Sequence, residues 1–218
     1  MSLTPRDERI LLRLLRARMP SAEPRGPPPT GAQPFGIPRE SGGVLAALHF
    51  PAERSAGVIL LSRGGDRVPW LREQGLAVAT FDHGGSGESD PAAGLPHREW
   101  ADALRWARRR YPGAPVHVWG VGLSAHFAHH ALACDEKGVA SAIFEDVPAE
   151  VGGLVPRMLA RGWLPAAAHA PDVNADRVLY LGGRRDLASA SPLARHHPDA
   201  WDVGGAAARD AVRAALRG

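Results

Sequence analysis

Cysteine and lysine are almost missing from this 218-residue chain: Cys134 is its one cysteine and Lys137 its one lysine. A single thiol excludes an internal disulfide and any zinc site built on cysteines. It suits a reducing compartment, and a cytoplasmic location is the expectation. No apolar run approaches the ~18 residues that a membrane-spanning helix needs, so no span is expected. No secretory leader is expected either, because Arg9, Arg13, Arg16 and Arg18 break up its would-be apolar core. The Gly85/Gly87 turn does not extend into Gly-x-Gly-x-x-Gly, and Lys137 is misplaced for a phosphate loop, so no nucleotide and no other cofactor is expected. The net charge is only +3, and the pI of 9.7 reflects arginine. No basic cluster is interleaved with aromatic residues, so a nucleic-acid partner is not expected.

What the chain does have is length and apolar content enough for one real core, with 44% hydrophobic residues. Residues 4–19 read as an amphipathic helix. Thr4 stands as N-cap, Pro5 as first helical residue, and Leu11, Leu12, Leu15 and Met19 form one face. That face is expected to dock on its own domain or to pair copies of the chain. Pro20 to Pro38 holds seven prolines and reads as an extended linker. Residues 1–42 are therefore separated from a domain at 43–218.

Within that domain, strands are expected at Gly43–His49, Gly57–Leu61, Leu76–Phe81, Val116–Trp119, Val139–Phe144, Arg177–Gly182 and Ala200–Val203. Gly43–His49 and Gly57–Leu61 read as a hairpin around the Pro51–Gly57 turn. Helices are expected at Val68–Gly75, His97–Arg110, after Ser124, at Ala188–Arg195 and at Ala206–Leu216. Strand and helix alternate, which argues for an α/β fold: a three-layer sandwich with a mostly parallel sheet.

The chemistry is expected where Val116–Trp119 hands over to a helix through Gly120-Val121-Gly122-Leu123-Ser124. Such a junction holds a hydroxyl at the sheet edge and aims helix N–H groups beside it. The run Gly122-Leu123-Ser124-Ala125-His126 resembles the G-x-S-x-G nucleophile elbow of the α/β-hydrolase superfamily, with His126 in the last glycine slot. Asp82-His83-Gly84-Gly85-Ser86-Gly87-Glu88-Ser89 is similar to that family's D-x-R-G-x-G-x-S turn, and Gly183-Arg184-Arg185-Asp186 to its G-x-x-D turn. The resemblance covers roughly residues 43–218 and points to a small, short-cap, bacterial member with an eight-stranded-type sheet and its cap near 147–176. It implies Ser124 as nucleophile, Asp186 as acid, and the N–H groups of Gly65 and Ala125 as the oxyanion hole.

The family's histidine should follow the last strand, near Gly204-Gly205-Ala206-Ala207-Ala208, and none stands there. His196 and His197 would lie at the wrong sheet edge if the last strand is Ala200–Val203. His83 and His126 are the candidate bases; His169 sits in the cap, and Asp146 is an alternative acid. His126, His129 and His130 have metal-like i, i+3, i+4 spacing on one helix, but no carboxylate adjoins them and no metal is expected. Two functions follow. One is a serine hydrolase of a small ester or acyl substrate with a displaced base. The other is a hydrolase scaffold that has lost hydrolysis and binds a small ligand or a protein partner.

Overall fold

In the computed structural model, which describes residues 28–52, 55–62, 65–91, 96–135, 137–147, 173–182, 194–198 and 206–217, the sheet is built outward from its centre. Strand β3 (Gly57–Ser62) is buried along its whole length. Val58 and Leu60 face one hydrophobic cluster, Ile59 and Leu61 the other. Side chains alternate across a strand, so a continuous aliphatic run means cover on both faces. Each such side chain taken from water contributes about 1.5–3 kcal/mol.

The remaining strands are β1 (Gln33–Pro38), β2 (Val44–Phe50), β4 (Leu76–Phe81), β5 (Val116–Val121), β6 (Ser141–Glu145), β7 (Val178–Leu181) and β8 (Ala194–His197). They form one sheet of order β1-β2-β4-β3-β5-β6-β7-β8. β1 and β2 pair antiparallel, as do β2 and β4; every other pairing is parallel. Helices α2 (Pro96–Arg110) and α3 (Leu123–Ala133) pack Trp100, Leu104, Phe127 and Leu132 on one face. Helices α1 (Val68–Glu73) and α4 (Ala206–Arg217) pack Trp70, Leu71 and Val212 on the other. The result is the expected three-layer α/β/α sandwich on a mostly parallel sheet.

The topology also locates a site. From β3 the chain leaves to α1 on one face, and from the neighbouring β5 it leaves to α3 on the opposite face. Loops that diverge at the carboxyl ends of adjacent parallel strands open a crevice, the usual ligand position in such sheets. The turn after β3 and the junction Val121–Leu123 flank it.

Three expectations need correction. Residues 33–38, read as the end of the proline linker, form the edge strand β1, so the sheet begins well before residue 43. Pro34 and Pro38 are tolerated because an edge strand has a side with no ladder to donate to. The segments read as a first hairpin are not partners, because β2 pairs with β4 rather than β3. Among the described residues the last strand is Ala194–His197, where the end of a helix was expected; Ala200–Val203, Asp186, His169 and most of the expected cap lie outside the described residues. His196 and His197 consequently stand at the carboxyl end of the sheet, not at its opposite edge. His196 Nε2 lies 2.9 Å from Gly182 O, and Gly182 N donates to His197 O at 3.0 Å. Three strand spacings at ~4.8 Å still put β8 roughly 14 Å from β5.

Candidate functional site

The strand-to-helix junction turns at Gly122, not at Ser124. Gly122 is the N-cap of α3 with φ 58° and ψ −131°, a region that side chains adopt only at a cost of about 1–3 kcal/mol. A Cβ built there would meet nothing within 4 Å. This is the half-buried apex from which an elbow nucleophile would project, and it carries no side chain. Two residues earlier, a Cβ on Gly120 would come within 2.6 Å of the Ala125 Cα. Gly120 thus lets α3 start hard against β5. The G-x-S-x-G frame therefore falls on Gly120-Val121-Gly122-Leu123-Ser124, two residues upstream of the expected register. In that register a glycine would stand in the nucleophile slot and a serine in the last one. Gly122→Ala should cost about 1–3 kcal/mol, from backbone strain alone. Gly120→Ala should cost more, because α3 must shift. Chemical denaturation of the two variants checks the order.

Ser124, expected to stand proud, is the second residue of α3 and only 5% exposed. Its hydroxyl reaches His83 Nε2 at 2.6 Å, receives the Trp100 indole N–H at 3.1 Å, and is in direct contact with the Ser62 hydroxyl, which donates to it. His83 Nδ1 lies 2.7 Å from Glu99 Oε2, and Gly84 N donates to Glu99 Oε1 at 3.0 Å. With the Nδ1 proton held by the Glu99 carboxylate, Nε2 is the acceptor and Ser124 donates to it. A hydroxyl offers one donor and two lone pairs, and all three are used inside the protein. The rings of Phe81, Trp100 and Phe127 surround His83 at centroid distances of 5.4, 6.5 and 5.9 Å.

Of the candidate bases, then, His83 is joined to Ser124. His126, half-buried on α3, is not among the partners of that hydroxyl. The expected oxyanion donors fare differently. Ala125 N–H is bonded to Gly122 O at 3.0 Å, whereas Gly65 opens an exposed 3₁₀ turn (Gly65–Arg67) with free space beside it. At a turn around Gly122 the donor beside the apex would be Leu123 N–H instead. Asp146 directly follows β6 and is exposed, with φ 47°. Glu99 was not anticipated. Its signal was an acid in the first turn of a helix following the His83 turn.

A second buried assembly braces the crevice. Arg67, at the end of the 3₁₀ turn, grips Glu145 at the end of β6. Nη2 is 2.8 Å from both carboxylate oxygens, and Nε is 3.2 Å from Oε2. Trp119 Nε1 donates to the same carboxylate at 2.9 Å, and the guanidinium lies 5.3 Å from the Trp119 ring centre. Among the described residues no group of three or more His, Cys, Asp or Glu side chains could hold a metal ion, and no helix is long and apolar enough to cross a membrane.

No family model and no curated protein matches the sequence. Solved structures match in shape. The Pyrococcus furiosus esterase Pf2001 gives a TM-score of 0.69 at 13% identity, over 90% of this chain and 96% of that one. AbyA5 gives 0.58 at 15% identity over 85% and 68% of the two chains. XC6422 from Xanthomonas campestris, described as a member of the α/β serine hydrolases without a lid, gives 0.55 at 16% identity over 80% and 87%. Identities this low speak for architecture only: the chain has the α/β-hydrolase fold.

Proposed function

We propose that this chain is a hydrolase-fold protein that binds a small ligand in the crevice beside Gly122 and does not hydrolyse it through an elbow serine. One observation carries the reading: the residue at the apex of the turn is a glycine with open space above it. Acyl transfer needs a nucleophile whose lone pair faces the substrate and whose proton passes to a base. At the apex there is no such atom. Below it, the Ser124 lone pairs are taken by Trp100 and Ser62.

A second reading is favoured by one specific arrangement. Ser124, His83 and Glu99 are linked at 2.6 and 2.7 Å in nucleophile–base–acid order, the logic of a catalytic triad. For hydrolysis through Ser124, Trp100 or Ser62 would have to move aside and let a carbonyl in. Both are fully or almost fully buried.

A fluorophosphonate probe separates the two. The binding reading expects no covalent labelling of the folded protein from pH 6 to 9, and no ester hydrolysis above that of Ser124→Ala. Labelling that disappears in Ser124→Ala would overturn it in favour of the buried triad. The comparison requires folded samples. Removing the hydroxyl strands the His83, Ser62 and Trp100 groups, each at about 1–3 kcal/mol.

A further inference from the structure

We infer that the groove between α2 and the end of α3 binds a small polyanion of the phosphate-chain class, independently of what the elbow crevice does. The groove has a volume of about 690 Å³ and is lined by Arg98, Arg105, Arg108 and Arg109 from α2 and by Lys137 beyond α3. Two carboxylates in the lining, Glu40 and Asp135, and a third behind Arg105, Asp102, face these five cations. The volume is that of a small-molecule site.

Helix stabilisation does not explain the convergence. Cations favour the last turn of a helix, which covers Arg108 and Arg109. Arg98 stands in the first turn, where the dipole opposes it, and Lys137 belongs to a different element. Arg105 and Arg109 form a like-charge pair four residues apart, which is unfavourable in an empty helix. The carboxylates orient the guanidinium groups more than they cancel them. Arg105 contacts Asp102 directly and Glu40 at 3.1 Å; Arg108 bonds Asp135 at 2.9 Å and Gly138 O at 2.7 Å. Two planar forks are thereby held in place, the arrangement that suits bidentate phosphate binding. Arg109 bonds only the Arg105 carbonyl, at 3.3 Å, and the Lys137 ammonium has no carboxylate partner among the described residues.

The class of anion follows from what else lines the groove. From Arg98 to Arg109 the cations extend over roughly 16 Å of helix, at 1.5 Å per residue. That length asks for charge at several points rather than one phosphate. Among the described residues the lining has no Trp, Tyr or Phe on which bases could stack, which argues against a single-stranded nucleic acid. His97 stays neutral there: burial first, then His130 and Arg98, hold its pKa down to about 3.

The groove contains its own reporter, because exposed Cys134 lines it and is the only thiol in the chain. The test measures the rate of Cys134 alkylation by iodoacetamide, an uncharged reagent, with and without inorganic tripolyphosphate. At about 150 mM salt we expect saturable protection of fivefold or more with a midpoint below 1 mM. The Arg109→Gln/Lys137→Gln variant, whose changes are confined to surface charges, should lose at least tenfold in midpoint. Three results would overturn the inference: no protection, protection matched by sodium chloride at equal ionic strength, or equal protection of wild type and variant. Protection by a single-stranded oligonucleotide but not by tripolyphosphate would also overturn it, in favour of a nucleic acid. None of these outcomes depends on whether Ser124 reacts.

Discussion

Arg67→Met is expected to destabilise the fold by about 3–5 kcal/mol, the usual result of removing one partner from a buried ion pair. The side chains of Arg67 and Glu145 are 9% and 2% exposed. With Arg67 gone, Glu145 keeps the Trp119 N–H but loses its bidentate counter-charge. Asp66, which also contacts Arg67 at 2.7 Å, is half-exposed and can turn to water, so it adds little. A protein of this kind has about 5–15 kcal/mol in total, so the loss should show as a large fall in urea midpoint. The double variant Arg67→Met/Glu145→Gln should recover much of it. It removes the charge that Arg67 had balanced and retains an acceptor for Trp119. A cost below about 1 kcal/mol for Arg67→Met would mean that water reaches the pair and that the β3 turn is not clamped.

That clamp bears on function because of where it sits. Arg67 closes the turn that presents Gly65, Glu145 ends β6, and Trp119 lies on β5 between them. Gly122 N, at the elbow apex, donates to Glu145 O at 2.9 Å. Both walls of the crevice are thus tied to one residue. In the proposed binding role such a clamp would preorganise the site, and preorganised walls lower the ordering cost of binding. The clamp variants therefore offer a functional readout: ligand affinity should weaken in Arg67→Met more than its fraction folded does.

The central strands were legible in the sequence because they are buried on both faces. Leu76–Phe81 was read with its observed bounds, and the strands now seen as β3, β5, β6 and β7 within a few residues. The edges were not. β1 carries two prolines, and β8 reads Ala-Arg-His-His with only partial burial. An edge strand need not show an apolar pattern, so neither announces itself. At the site, the sequence marks the junction, but the backbone apex lies at Gly122, two residues upstream of Ser124. Ser124 drew the pattern onto itself because serine is the residue that chemistry asks for. The backbone asks for something else at the apex, tolerance of φ 58°, and Gly122 supplies it. His83 was noticed from its place after β4. Its coupling to Glu99 and Ser124 is a contact across 16 and 41 residues, and no local pattern encodes such distances.

Acid should unfold this protein earlier than its carboxylates alone would require, because several buried or half-buried histidines are held in the neutral form. His117 is 2% exposed, its Nδ1 sits 2.8 Å from Ser141 Oγ, and burial, then Arg177, lower its pKa to about 4. His129 is lowered to about 4 by burial, then by His126 and His130, and His97 to about 3 by burial, then by His130 and Arg98. In the unfolded chain each titrates near 6.5. Below that pH the unfolded state takes up protons that the folded state refuses, so stability falls as pH drops from about 6.5 toward about 4, where His117 and His129 begin to protonate in place. Each such group adds up to about 1.4 kcal/mol per pH unit, or about 2 kcal/mol from His117 alone between pH 6.5 and 5. Urea denaturation across that range should show the slope. His117→Gln can still bond Ser141 but cannot titrate, and should flatten the slope by one proton's share. An unchanged slope in that variant would mean that His117 is already protonated in the fold. Neutral imidazoles at 97, 117 and 129 are packing groups near pH 7. Among the described histidines, that leaves His83 as the one joined to a buried hydroxyl and a carboxylate together, beneath an apex that has no nucleophile for it to serve.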